Sequence, residues 1–510
     1  MPGSPLMSRE RFLLIALLLV YLAVGSLFAV LTPDWQTPDE PAHYNYVRQI
    51  VERRRCCPQI EPGDWDQAYL DEIKAARFAP DRLAALETIQ YEDHQPPLYY
   101  QFASLVYGLT HGSLIAMRLF SVLLGAGVVW CAWAVAKAVL PDRAGVALGT
   151  AAFVAFLPQH MMMLASVNND PLNELLIGLV LVITVRFLLG QTDANYQLGQ
   201  VLLVITLLML VVLLTVHLIP ASVGAVFLAL VAAAVLTPML RETGDWQIWL
   251  LGLLVGAIFT TKATGYFMAA LVPLAIVLRY RLPVNGPRII RRAYLRTLGR
   301  RLIYFLVPAL LLGGFWWLRN IAIYGFPDFL GLGAHDLVVV GQPRTAEAIA
   351  QMGFGLYFSQ AVRTTYHSFW GQFGWMALPL QGWMYTLLTV LPLAAVAGLV
   401  IDRFVIERPE QTPEQIRRSR AVWLVLWLMI GLTALMYIYY NITFLQLQGR
   451  YLFTALIPIG LLMALGIDAW RRWLLAKWAW AQWLPLIVFG VLALFDVYLI
   501  LRVIRPNLLP

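Results

Sequence analysis

The chain has 510 residues, of which 60% are apolar and only 13% are charged. Globular proteins carry about 25% charged residues, so the composition excludes a soluble enzyme, a disordered chain and a disulfide-rich secreted domain. The net charge of +8 does not indicate nucleic-acid binding, because the basic residues lie where membrane topology places them. Cys56 and Cys57 are adjacent and Cys131 lies in an apolar run, which predicts no disulfide framework. We therefore predict an all-α polytopic membrane protein.

A membrane-spanning helix needs about 20 mostly apolar residues. The first such segment follows Arg9 and Arg11 and is predicted to be an uncleaved signal anchor, with the N-terminus in the cytoplasm. The sequence predicts about thirteen spans: 12–31, 116–140, 144–165, 171–190, 197–216, 218–240, 246–263, 265–281, 302–320, 383–401, 421–440, 451–469 and 483–502.

The distribution of arginine predicts the orientation. Segment 279–301 has eight arginines and no acid, and segment 402–420 has five arginines. Both fall on the same side of the predicted spans, which the positive-inside rule assigns to the cytoplasm. We divide the chain into a first module at 1–281, including the external loop 32–115, and a more variable second module at 282–510, including the external loop 321–382.

The first external loop is acidic, with 13 acids and 7 bases in residues 32–96. Its pattern predicts amphipathic helices at 38–55, 65–78 and 81–90, and an apolar helix at 97–112 that lies at the interface. The large loops lie on one face and only short connections lie on the other. The sequence therefore predicts that any chemistry takes place on the external face.

Asp39 directly follows the first span. Thr37, Pro38 and Glu40 form the pattern of an N-cap, a first helical residue and a capping box. One interpretation is that Asp39 and Glu40 only complement the helix dipole. The other is that Asp39 is a general base or metal ligand grouped with Glu40 and with His43 one turn later.

Further polar residues lie in the predicted external connections. Asn169 and Asp170 precede Pro171, which is the pattern of a helix cap or of a second acid facing Asp39. A polar turn before two prolines contains His94 and Gln95, and His160 lies near the predicted external end of a span. We interpret these residues as cap and turn residues or, alternatively, as the wall of a sugar or acceptor site.

Four cations lie near the predicted external ends of apolar segments: Arg118, Lys262, Arg319 and Arg450. They fit the phosphate of a lipid carrier, although interfacial anchoring is the alternative. Aromatic and amide side chains near them are typical either of an interfacial belt or of a sugar-stacking surface. The candidates for that surface are Trp370, Trp375, Gln448 and Tyr451.

The order of these features resembles the membrane glycosyltransferases of the C-type fold. The matching elements are Pro38-Asp39-Glu40 after span 1, the Pro96-Pro97-Leu98 entry, Arg118 opening span 2 and Asp170 between spans 3 and 4. The stretches PDEPAHY, LPQHMMMLASVNND, SFWGQFGW and QGRYLF are also similar to those of a bacterial family of multispanning proteins whose activity is uncharacterised. The resemblance therefore covers residues 38 to 453.

The resemblance implies a fold and a reaction. Enzymes of this fold transfer a sugar, with inversion, from a polyprenyl-phosphate donor on the outer face of the cytoplasmic membrane. The first-loop acid, Asp39 here, activates the acceptor, and cations hold the leaving phosphate. Some members use a divalent metal such as Mg²⁺ or Mn²⁺, for which Asp39, His43 and Asp170 are the candidates. The chain has neither a large soluble C-terminal domain nor a large external insert, which favours a lipid-linked or polysaccharide acceptor.

Two other functions use the same residues. A transporter or flippase of a lipid-linked sugar would also need cations and aromatics, but it would need access from both faces. A non-catalytic partner of a polysaccharide machine is the third interpretation. The grouping of Asp39 with His43 and the absence of a convincing internal repeat favour the enzyme.

Overall fold

The computed structural model describes residues 5–54, 56–191, 245–280, 288–406 and 411–510. Within these ranges, eight helices are long and apolar enough to cross a membrane, and the bent pair α6–α7 makes a ninth. The only sheet in the described part of the chain is a two-stranded hairpin. The predicted all-α polytopic membrane architecture is confirmed.

The first half of the chain contains α1 (Pro5–Leu31), α2 (Glu40–Arg53), α3 (Gln67–Ala75), α4 (Leu98–Leu109), α5 (Leu114–Val139), α6 (Ala144–Phe156), α7 (Pro158–Leu164), α8 (Asp170–Leu189), α9 (Trp246–Phe259) and α10 (Met268–Arg279). The second half contains α11 (Arg288–Tyr324), α12 (Leu332–Val338), α13 (Thr345–Met352), α14 (Phe354–Trp370), β1 (Gln372–Phe373), β2 (Leu378–Pro379), α15 (Gly382–Phe404), α16 (Pro413–Thr443), α17 (Leu456–Leu474), α18 (Leu484–Gly490), α19 (Leu492–Leu499) and α20 (Arg505–Leu508). In the hairpin, Gln372 lies opposite Pro379 and Phe373 opposite Leu378.

Most predicted spans correspond to observed helices. The predicted spans 197–216 and 218–240 lie outside the described residues. The predicted spans 246–263 and 265–281 correspond to α9 and α10, which have 14 and 12 residues and are shorter than a full span. The predicted span 144–165 is bent by 67° between α6 and α7, where Pro158 begins the second helix.

The helices of the first external loop match the predicted helices with one exception. Helices α2, α3 and α4 confirm the predictions at 38–55, 65–78 and 97–112. The predicted helix 81–90 is wrong, because the chain forms two separate 3₁₀ turns, Pro80–Arg82 and Leu86–Thr88. The leucines in and between these turns pack against a small external core, and the two turns direct them there.

Two apolar cores organise the described part of the chain. The larger one joins the membrane helices, and the smaller one joins the two external loops through Trp35, Ile60, Tyr91 and Val339. The chain also ends beside the first loop, because the Gln36 side-chain amide donates to the carbonyl of Leu508. The two loops that the sequence predicts to be external and the segment around Leu508 therefore lie on one face of the protein. The division of the chain at residues 281/282 stays a prediction.

Candidate active site

Asp39 is the residue immediately before α2. Its backbone is left-handed, with φ of 68°, and its side chain makes no capping hydrogen bond. The predicted capping box of Thr37 and Glu40 is therefore wrong, since Asp39 itself occupies the N-cap position and the Glu40 side chain points elsewhere. Aspartate tolerates this backbone conformation better than most residues, and the conformation leaves the carboxylate free to contact other segments.

The Asp39 carboxylate is held by two donors from distant parts of the chain. The Arg450 guanidinium donates to Oδ2 at 2.7 Å, and the Tyr91 hydroxyl donates to Oδ1 at 2.8 Å. Burial raises the pKa of Asp39, but the charges of Arg450 and His43 and the two hydrogen bonds hold it below its usual range on balance. Because a quarter of its side chain is exposed, Asp39 is an ionised carboxylate that a ligand can reach.

Arg450 lies in the 3₁₀ turn Gly449–Ala455, which follows α16. It reaches Asp39 because this turn packs tightly against α14. A Cβ atom at Gly449 would overlap the backbone of Thr365 and Phe369, so glycine is required at this approach. The Gly449 amide donates to the Ser368 hydroxyl at 2.7 Å, which fixes the turn. The Arg450 Nε atom is buried and has no acceptor among the described residues.

A second acid and cation pair lies in the same region. Asp170 is the first residue of α8, and its Oδ1 atom accepts from Lys262 Nζ at 2.6 Å. Lys262 lies in the turn between α9 and α10. The exposed fractions of the two side chains are 24% and 18%, so this pair is also accessible.

His43 lies within electrostatic range of both pairs. Burial lowers its pKa, Lys262 lowers it further, and the charges of Glu92, Asp39 and Asp170 oppose this effect. Its Nδ1 atom is 2.8 Å from the hydroxyl of Tyr100. The structure thus brings together the predicted residues Asp39, His43, Asp170, Lys262 and Arg450, which we call the Asp39 cluster.

Glu40 and Arg118 form a separate buried pair. Arg118 Nε and Nη2 donate to the two carboxylate oxygens of Glu40 at 2.8 and 2.6 Å. The other three N–H groups of Arg118 donate to the carbonyls of Ala29, Thr32 and Pro33. Both side chains are fully buried and every guanidinium donor is used. This arrangement favours a structural role that fixes α2 against the end of α1 over the predicted catalytic and phosphate-binding roles.

Other predicted residues have partners outside the cluster. Arg319 donates to the carbonyls of Cys57 and Pro58. His160 is fully buried between the Val154 carbonyl and the Glu174 carboxylate. The Trp375 indole donates to the Trp35 carbonyl, while Trp370 is 2% exposed in the membrane core. The predicted sugar-binding roles of His160, Trp370 and Trp375 stay predictions, but their contacts are those of packed residues.

Of the remaining residues predicted to line the sugar or acceptor site, some lie beside the Asp39 cluster and others have partners elsewhere. Asn169 lies beside the cluster, with its amide 3.3 Å from the Gln95 side-chain oxygen and 3.4 Å from the Tyr100 hydroxyl. The guanidinium of Arg450 lies 5.5 Å from the ring centre of Tyr451. The ring of His94 lies 4.4 Å from that of His335, and burial lowers the pKa of His94 to about 3. Gln448, which precedes Gly449, has a buried side-chain oxygen with no donor among the described residues.

The predicted metal ligands Asp39, His43 and Asp170 lie in one cluster, but their side chains are not placed to coordinate one ion. Within the described ranges, no three His, Cys, Asp or Glu side chains are placed to hold a metal ion. Asp39 and Asp170 instead face different cations, Arg450 and Lys262. Among the described residues the arrangement does not fit a metal centre, and a metal requirement stays a prediction.

The sequence interpretation did not single out Tyr91 and Tyr100, which contact Asp39 and His43 directly. They are the first and last residues of the YEDHQPPLYY stretch, whose histidine and glutamine were singled out. Tyrosines in such a membrane protein are usually interfacial anchors, and only the folded arrangement distinguishes these two.

No family model and no curated protein matches the sequence. Among solved structures, the chain is similar to the apo oligosaccharyltransferase of Archaeoglobus fulgidus, with 10% identity and a TM-score of 0.46. The similarity covers 96% of this chain but 56% of the archaeal enzyme, so the chain spans little more than half of that protein's length.

The chain is also similar to ArnT from Cupriavidus metallidurans. The structure bound to undecaprenyl phosphate has 15% identity and a TM-score of 0.45, over 98% of this chain and 73% of ArnT. The apo structure has 14% identity and a TM-score of 0.34, over 92% and 78%.

Proposed function

We propose that the protein is a membrane glycosyltransferase that moves a sugar from a polyprenyl-phosphate donor to a lipid-linked or polysaccharide acceptor. The reaction would take place on the outer face of a bacterial cytoplasmic membrane. The observation that carries the proposal is the contact between Asp39 and Arg450. It places an ionised carboxylate and a cation side by side in a partly exposed site at the helix ends.

Each of the two acids of the Asp39 cluster is paired with a cation. These two cations can bind a phosphate in place of the acids. A donor phosphate that approaches Arg450 and Lys262 competes with Asp39 and Asp170 for the same N–H groups. The Nε donor of Arg450 also has no acceptor among the residues that the structure describes. We infer that the phosphate replaces the carboxylates as the partner of these cations.

This exchange would make Asp39 a better base. Its pKa is held low by Arg450, so transfer of the guanidinium to the phosphate raises the pKa of Asp39 when the donor is bound. Asp39 then accepts the proton of the acceptor hydroxyl as the hydroxyl oxygen attacks the anomeric carbon. The bond from that carbon to the phosphate oxygen breaks, its electron pair stays on the phosphate, and the configuration inverts.

The experiment is turnover by the purified protein in lipid nanodiscs. A panel of radiolabelled polyprenyl-phosphate sugars is supplied with candidate acceptors, with and without chelator, and released polyprenyl phosphate is measured. Asp39→Asn is the informative variant, since asparagine tolerates the same backbone conformation. Asp81→Asn is the matched control, because Asp81 is an exposed acid of the same loop.

We expect Asp39→Asn to lose turnover by about 100-fold or more and Asp81→Asn to keep it. Full turnover in Asp39→Asn would remove Asp39 as the base. Donor binding without turnover in every form, including the unmodified protein, would favour transport of the lipid-linked sugar, which a flipping assay would then measure. Loss of turnover on chelation would show that a metal is needed.

A further inference from the structure

The hydroxyl of Tyr100 lies between the side chains of His43 and Asn169. It is 2.8 Å from the Nδ1 atom of His43 and 3.4 Å from the side-chain nitrogen of Asn169. All three side chains are buried. The hydroxyl has no other hydrogen-bond partner among the residues that the structure describes, so its proton can go only to one of these two atoms.

The amide of Asn169 cannot accept that proton. Its nitrogen is also 3.4 Å from the backbone carbonyl of Thr261 and 3.3 Å from the side-chain oxygen of Gln95. Because a carbonyl oxygen only accepts, the atom of Asn169 that faces it is the donating nitrogen and not the amide oxygen. The same nitrogen faces Tyr100, and an amide nitrogen has no acceptor capacity. The only acceptor left for the Tyr100 proton is Nδ1 of His43.

This hydrogen bond fixes the tautomer of His43. A neutral imidazole that accepts at Nδ1 carries its proton on Nε2. With a proton on Nδ1, the ring would place a second donor against the Tyr100 oxygen and leave the buried hydroxyl proton without an acceptor. A doubly protonated ring would do the same. Burial also lowers the pKa of His43, which favours the neutral ring independently of this hydrogen bond.

The rings that make this contact are firmly held. The ring of Tyr100 is stacked on that of Tyr46, with 3.7 Å between the ring centres and 11° between the planes. The backbone amide of His43 donates to the carbonyl of Asp39 at 3.1 Å, in the first turn of α2. The position of the Tyr100 hydroxyl therefore sets the orientation of the His43 ring.

The opposite side of the His43 ring faces the acids and cations of the Asp39 cluster. The charges of Asp39, Asp170 and Lys262 all act on this ring. Its Nε2 atom meets no hydrogen-bonding group in the described ranges, since the one side-chain contact of His43 is the contact of Nδ1 with Tyr100. An N–H group without a protein acceptor thus lies beside the cations that we propose to hold the donor phosphate.

We propose that Tyr100 holds His43 as the neutral Nε2–H tautomer, and that this N–H group donates a hydrogen bond to the phosphate of the polyprenyl-phosphate donor. Tyr100 is then a positioning residue that acts through His43. The phosphate ligand rests on the proposed function, whereas the tautomer does not. A neutral N–H group suits this place, because an imidazolium would form an ion pair with Asp39 or Asp170 instead of remaining available to the donor.

The first test observes the tautomer directly. The protein is labelled with [ring-¹⁵N]histidine, placed in lipid nanodiscs and studied by NMR at neutral pH, and the His43 signals are identified by their loss in His43→Gln. We expect a protonated Nε2 and an unprotonated Nδ1. Tyr100→Phe keeps the ring but removes the hydroxyl proton, so the two tautomers should mix.

Tyr99→Phe is the matched control, because the hydroxyl of this neighbouring tyrosine contacts Ser121 and not His43. It should leave the His43 signals unchanged. Protonation of Nδ1 in the unmodified protein, or an unchanged tautomer in Tyr100→Phe, would overturn the proposal. This measurement needs neither turnover nor donor, so it stays valid if the proposed function is wrong.

The second test measures binding of farnesyl phosphate, a short polyprenyl phosphate without a sugar, by calorimetry. The amide nitrogen of glutamine reaches the place of Nε2, whereas that of asparagine reaches only the place of Nδ1. We therefore expect His43→Asn to bind about tenfold more weakly than His43→Gln. His111→Asn is the control, because His111 is exposed in the turn between α4 and α5 and asparagine tolerates its φ of 52°.

The two proposals fail in different ways. Equal binding by His43→Asn and His43→Gln, with the unmodified protein and His111→Asn binding normally, would remove the phosphate as the ligand of His43 and leave Arg450 and Lys262 in place. Absence of binding in every form would contradict the proposed phosphate site as a whole. The tautomer would then still be decided by the NMR measurement.

Discussion

The Asp39 carboxylate accepts a hydrogen bond at 2.7 Å from the guanidinium of Arg450, which lies 411 residues later in the chain. This contact joins the first external loop to the turn that follows α16. It also pairs the group that we propose as base with a group that we propose to hold the phosphate. Under the proposed function, the pair would couple donor binding to the basicity of Asp39.

Replacing Arg450 tests this coupling. In Arg450→Gln the charge that lowers the pKa of Asp39 is removed, while the burial that raises it stays. We expect the pKa of Asp39 to rise, so the acidic limb of the pH–rate profile moves to higher pH. Turnover at the optimum should fall by about 10- to 100-fold because the phosphate loses a charge-assisted hydrogen bond.

Two further variants separate this effect from general damage. Arg450→Lys keeps the charge and should restore most of the pH profile but only part of the rate. Arg363→Gln removes an exposed arginine of α14 and should change neither. A rate loss in Arg450→Gln with an unmoved acidic limb would contradict the coupling.

Glu40 and Arg118 are expected to act on stability. Removing one partner of a buried ion pair costs about 3–5 kcal/mol, so Glu40→Gln and Arg118→Met should each lower the melting temperature markedly. The double variant should cost less than the sum of the two single variants, because it removes both charges and leaves no buried charge without a partner. Neutralising the exposed pair of Asp71 and Lys74 should have little effect. A raised KM for the donor in Arg118→Met at unchanged stability would instead support its predicted phosphate role.

Local sequence patterns predicted the helices well because long apolar runs and helical periodicity are local signals. They also indicated Asp39, His43, Asp170, Lys262 and Arg450, since charged residues at the ends of apolar segments are expensive and few. The same rule indicated Arg118, whose five donors are all used by the protein. Pairing is a long-range property, and no local pattern shows which acid a cation meets.

The capping box shows a second limit of local patterns. Thr37, Pro38 and Glu40 fit the motif, yet Glu40 makes a bidentate contact with Arg118, 78 residues away. A full ion pair is stronger than the hydrogen bond that a capping box would supply. Helix α2 accordingly begins at Glu40, with Asp39 before it in the left-handed region.

Asp93 is expected to make stability depend on pH. Its Oδ2 atom accepts from the Gln49 amide at 2.6 Å, its Oδ1 atom has no partner among the described residues, and burial raises its pKa well above the usual range. Such a carboxyl favours folding while it is protonated, and this contribution is lost as the pH rises through the folded-state pKa.

Asp93→Asn removes this titration and keeps the size of the side chain. We expect the variant and the unmodified protein to melt at similar temperatures near about pH 4, and the variant to melt at the higher temperature as the pH is raised toward about 8. Asp81→Asn, at an exposed position of the same loop, should show no such trend. A difference in melting temperature that is constant over the whole pH range would show that Asp93 does not titrate in this way.

Lys262 provides the test of the second acid and cation pair. If Lys262 binds the donor phosphate, Lys262→Gln should lower kcat/KM by about 10- to 100-fold, and Lys262→Arg should recover part of that loss. The matched control is Lys137→Gln, because Lys137 also forms a 2.6 Å ion pair, with Glu10 at the other end of α1 and α5. Lys137→Gln should leave donor kinetics unchanged after correction for the folded fraction. Equal losses in both lysine variants would assign the effect of Lys262 to folding, and an unchanged kcat/KM in Lys262→Gln would remove it from the phosphate site while leaving Arg450 in place.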